Sequence, residues 1–107
     1  MQPQPDLVTA AQHLPAPALY QKARAVFDRQ PRTYVAAAFP DRLQVHYVVR
    51  SALLNFPDLV MIQVNALDAG QSTVVIWSRS VYGHSDLGVN QARTKAWLAA
   101  LQQSSER

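Results

Sequence analysis

The side chains best suited to chemistry fall in one stretch. Ser78, Arg79 and Ser80 end a β-branched run, His84, Ser85 and Asp86 follow the turn at Gly83, and Asn90 and Arg93 lie just beyond. On a helix advancing about 100° per residue, Val89, Ala96, Trp97, Ala100 and Leu101 share an arc of about 140°, and Asn90 and Arg93 fall inside it. An amide and a guanidinium are therefore predicted to face the core. There an unpartnered polar group costs roughly 1–3 kcal/mol and an unpaired charge costs more, so each needs a specific partner.

Two uses fit Arg50, Ser78, Ser80, Ser85, Asp86, Asn90 and Arg93. Asp86, Asn90 and Arg93 stand at i, i+4 and i+7, which stacks them on one side of a helix. In a structural network, Ser85 or Asp86 caps the helix, Asn90 ties it to a strand edge, and Arg93 pairs with a carboxylate. In a binding site, the same helix start receives a small anionic group through its free N–H groups and partial positive charge. Asp86 already supplies a negative charge there, which favours the network.

Catalysis and metal binding have weaker warrants. His84, Ser85 and Asp86 could suggest a hydrolase, but neighbours on a turn point apart, whereas a triad needs its histidine within about 3 Å of both partners. His46, in the middle of a long strand, is the better-aimed base. A metal could draw on His46 and His84 with Asp58 or Asp86, yet no His-x-x-x-His spacing supports it, and no metal or cofactor is assigned. Three glycines do not build a phosphate cradle, and the absence of cysteine removes thiol chemistry.

The elements that must position these residues follow from period and punctuation. From Pro17, residues Leu19, Tyr20, Ala23, Val26 and Phe27 line one face of a helix that Pro31 ends. Four strands are expected at Arg32 to Phe39, Leu43 to Leu53, Leu59 to Leu67 and Thr73 to Ser80, joined by short links rich in Pro, Asp or Gly. The predicted fold is α+β, a four-stranded antiparallel meander between an N-terminal and a C-terminal helix, both packed on one sheet face. Alternation places Val60, Ile62, Val64, Val74, Ile76, Ser78 and Ser80 under the helices. It turns Met61, Val75, Trp77 and Arg79 the other way, where Trp77, Val75, Met61 and Val48 would form an apolar patch for self-association or a partner.

At 107 residues the chain suits one domain, expected over residues 16–103 after a proline-rich lead-in at 1–15, with a tail at 104–107. Hydrophobic residues make up 49% and charged ones 16%, which excludes a disordered body. The net charge of +3 is spread over helix, turn and strand without a clustered basic stripe, so nucleic acid is not the expected partner. No apolar run reaches the roughly 20 residues of a membrane span and no leader pattern is visible, so the chain reads as cytoplasmic.

The string Ser78-Arg79-Ser80, Gly83, Ser85-Asp86-Leu87-Gly88-Val89-Asn90 with Arg93 resembles the domain-of-unknown-function 1499 family. His46, Arg50-Ser51, Leu53 and Phe56-Pro57-Asp58 are similar to that family's upstream positions, so the likeness runs over roughly Leu43 to Leu101. The chain departs from it in lacking an N-terminal Asn-Cys segment and in carrying Val81 where an arginine is common. The resemblance implies an exported or membrane-associated setting and no particular activity. The expectation from the residues themselves is a small non-catalytic binding or interaction domain.

Overall fold

The computed structural model describes residues 7–50, 56–80 and 87–105, the side chains of 80, 87–91, 104 and 105 excepted. The elements are β1 (Leu7–Val8), α1 (Ala16–Phe27), β2 (Thr33–Phe39), a single 3-10 turn (Pro40–Arg42), β3 (Gln44–Arg50), β4 (Pro57–Asp68), β5 (Gln71–Ser80) and α2 (Leu87–Ser105). They form one antiparallel sheet in the order β1-β5-β4-β3-β2. The expected meander is present. It gains a fifth strand, because Leu7 and Val8 pair with Ile76 and Val75, and the Gln12 and Ser72 backbones then bridge. Residues 7–12, expected as lead-in, thus line the outer edge of β5.

Side-chain alternation fixes the two sheet faces. β3 buries Val45, Tyr47 and Val49, β4 buries Val60, Ile62 and Val64, and β5 buries Val74 and Ile76. Opposite these stand Leu19, Tyr20, Ala23 and Phe27 of α1 with Trp97 and Leu101 of α2, so both helices pack on the same face. Trp97 is the keystone: its ring stacks on Phe27 at 4.8 Å between centroids and meets Tyr47 edge-on at 5.4 Å. Such contacts add roughly 0.5–1.5 kcal/mol to the burial of an aromatic pair.

Several boundaries differ from the sequence reading, each for a local reason. Pro57 and Asp58, expected in a turn, open β4, where Pro57 sits at a first strand position that needs no ladder donor. The β4–β5 link contracts to Ala69-Gly70, and the Asp68 carboxylate accepts the Gly70 N–H at 2.9 Å. Helix α1 stops at Phe27, with residues 28–30 in turns before Pro31. On α2, Ala96 is exposed and Thr94 is buried in its place, so the inward arc is rotated from the expected one.

Candidate functional site

At the end of the sheet where β4 begins, the buried rows turn polar. Asp58 shares the parity of Val60, Ile62 and Val64, and Ser78 shares that of Val74 and Ile76, so both face α2. Arg93 reaches down from that helix. Its Nη2 donates to Asp58 Oδ2 at 2.8 Å and its Nη1 to Ser78 Oγ at 3.3 Å. The Arg93 and Asp58 side chains are only 10% and 11% exposed, so the pair is largely enclosed.

An enclosed ion pair holds its place because each charge would be costly alone. Desolvation offsets much of the attraction, but removing one partner strands the other in a site with little water. Arg93 therefore pins α2 to the strand that begins at Pro57. Of the other residues expected with it, Ser78 is brought into hydrogen-bond contact, while Arg50 occupies the β3 row that alternates to the opposite face, as does the exposed Arg79 of β5. His84, Ser85 and Asp86 lie outside the described residues, as do the side chains of Ser80 and Asn90.

A second polar cluster had no place in the sequence reading. Asp28, just after α1, accepts a hydrogen bond from the Tyr47 hydroxyl at 2.5 Å and a two-pronged contact from Arg24 at 3.0–3.3 Å. Burial alone would raise the Asp28 pKa, but the hydrogen bonds from Arg24 and Tyr47 and the Arg24 charge outweigh it and hold the carboxyl below its ordinary value. Burial, followed by the neighbouring carboxylate, pushes the Tyr47 phenol well above its usual range. The i, i+4 spacing of Arg24 and Asp28 was legible in the chain. The arrival of Tyr47 from β3 required the fold.

His46 stands on the far side of the sheet. Its Nε2 lies 3.1 Å from Gln44 Oε1, Gln44 Nε2 donates to Gln63 Oε1 at 2.8 Å, and Gln63 in turn donates to the Arg42 carbonyl at 2.8 Å. Phe39 meets the imidazole edge-on, with the Arg42 guanidinium 5.1 Å from the centre of its ring. The described partners of this histidine are thus an amide and an aromatic ring. Among the described residues, no three His, Asp or Glu side chains converge in a way that could hold a metal ion.

The apolar patch expected on this face is redrawn. Val75 is only 6% exposed and drops out of it. In its place the register aligns Tyr34, Val48 and Leu59 across β2, β3 and β4, with Arg79 next in line on β5. Tyr34 is 59% and Leu59 37% exposed, and Met61 and Trp77 are half-buried in the adjacent row.

These features define a class: a small α+β domain with an antiparallel sheet, two helices on one face, and an enclosed Arg–Asp pair locking the second helix. The family described as Protein of unknown function (DUF1499) matches residues 3–101, and the chain belongs to it. No curated protein and no solved structure matches the chain. No helix among the described residues is long and apolar enough to cross a membrane.

Proposed function

We propose that the protein is a non-catalytic interaction domain: the Arg93 cluster holds its architecture, and the sheet face opposite the helices meets its partner. The observation that carries this reading is the contrast between the two faces. One is covered over β3, β4 and β5 by α1 and α2, while the other presents Tyr34, Val48, Leu59, Met61 and Trp77 in neighbouring register positions. A contiguous apolar surface of that kind is characteristic of association. The exposed Arg79 lies at the end of its described rows, which suits a partner that is apolar with an acidic group at its margin.

The Arg93 geometry supports a structural use over a receptor for a small anion, since one guanidinium nitrogen already meets Asp58 and the other Ser78. A hydrolase built on His46 draws no support from its amide and aromatic surroundings, and the alternative of His84 with Ser85 and Asp86 lies outside the described residues. The nucleic-acid alternative draws little support from a net charge of +3 spread over helix, turn and strand.

Titrating inorganic phosphate against isotope-labelled protein tests the division of labour. The guanidinium resonances of Arg93 should stay in place while Leu59 and Met61 methyl signals report any added partner. A saturable shift at Arg93 would return the polar cluster to a binding role.

A further inference from the structure

The two edges of the sheet are treated differently by the chain. Along β5 the edge is covered by Leu7, Val8 and the Gln12–Ser72 bridge, and Thr9 adds a backbone bond to the Val74 carbonyl at 2.9 Å. The β2 edge has no such cover among the described residues. Its sequence, Thr33-Tyr34-Val35-Ala36-Ala37-Ala38-Phe39, contains no charge and no proline, two of the devices that blunt an open edge. Val35 alternates to the helix side yet is 44% exposed, so β2 projects beyond the helical cover. A bare, uncharged strand edge of this length invites another strand.

We propose that β2 is a dimerisation edge, taken up by β2 of a second copy in antiparallel, two-fold register. Three features select that occupant and that direction. The extra residue between Val35 and Ala37 shifts the pairing with β3, so that Tyr34 and Phe39 lie on one face and Val35 and Ala38 on the other. A two-fold pairing can then set Tyr34 opposite the partner's Phe39 and Val35 opposite the partner's Ala38, with these four side chains on matching faces. In the same register the exposed Arg32 of each copy meets the exposed Asp41 of the other, giving two complementary charge pairs per dimer. A parallel pairing would set arginine beside arginine. The Ala36–Ala38 run leaves the centre free of bulk, so the two backbones can approach to ladder distance. This dimer joins two sheets into one continuous sheet, and it stands whether or not the sheet face also binds a partner.

Sedimentation equilibrium on the full chain and its variants tests the proposal. The wild-type chain should show a concentration-dependent monomer–dimer equilibrium, and Val35→Lys, at an exposed position, should shift it to monomer with an unchanged circular-dichroism spectrum. Arg32→Asp and Asp41→Arg should each weaken the dimer by about fivefold, as two rim charge pairs become repulsive, and the double variant should restore it. Arg32 has a φ of 54°, a conformation that aspartate accepts more readily than most residues. The Arg50 N–H still donates to the backbone carbonyl at position 32 at 2.9 Å when the exposed Arg32 Nε bond to the Arg50 carbonyl is lost, so the charge swap decides if the lysine variant fails to fold. A monomer at millimolar concentration would overturn the proposal. So would a dimer indifferent to both the lysine and the charge swap but lost on Leu59→Glu.

Discussion

Arg93 of α2 and Asp58 of β4 lie 35 positions apart in the chain and 2.8 Å apart in the fold, with both side chains almost enclosed. Arg93→Met should destabilise the domain by about 3–5 kcal/mol, because it leaves the Asp58 carboxylate in a dry site without its guanidinium. Asp58→Leu combined with Arg93→Met should recover much of that loss, since the pair's attraction is largely offset by its desolvation. Urea denaturation of the two variants separates a strut from a receptor: a near-zero loss in Arg93→Met would remove the structural role.

The Tyr47–Asp28 contact makes a pH prediction with a definite sign. The folded-state pKa of Asp28 lies below its unfolded value, so its contribution to stability is present above the unfolded carboxyl value and is lost as pH falls through the folded one. Asp28→Asn should therefore flatten part of the acid limb of the stability profile and leave neutral-to-alkaline behaviour parallel to wild type. Thermal melts between acid and neutral pH check it; identical acid limbs would contradict it.

Trp97 joins α1, β3 and α2 through Phe27 and Tyr47. Trp97→Ala should cost about 3–5 kcal/mol through lost burial and a residual cavity. Trp97→Phe should cost clearly less. Calorimetry is the measurement to make, because each substitution removes one of the two tryptophans and so alters the fluorescence signal itself.

Leu59 sits on the face opposite the helices and is substantially exposed. Leu59→Gln should change stability by no more than about 0.5 kcal/mol, as expected of a surface position. The same substitution should reduce binding of an apolar fluorescent dye by the native protein. A large loss of stability would show that this face is packed rather than presented.

Much of the fold was legible because periodicity survives translation into structure. The alternation of Val60, Ile62 and Val64 with Met61 predicts the buried row of β4, and the i, i+3, i+4 spacing of Leu19, Tyr20, Ala23 and Phe27 predicts the buried face of α1. Beyond these, β1 was hidden: two residues carry no period, and only the free edge of β5 makes them a strand. Asp58 was nearer to hand, since its parity with Val60 places a carboxylate on a buried row and a buried carboxylate demands a cation.

The chain by itself thus determined the order of elements from α1 to α2, most of the inward-facing apolar rows, the family, and the need of Arg93 for a partner. Only the tertiary structure decided that the partner is Asp58, that Tyr47 reaches Asp28, and that Arg50 is turned to the opposite face. The reason is physical: local period sets the direction in which a side chain points, whereas its neighbour across the core depends on strand register and helix placement, which the whole core sets jointly.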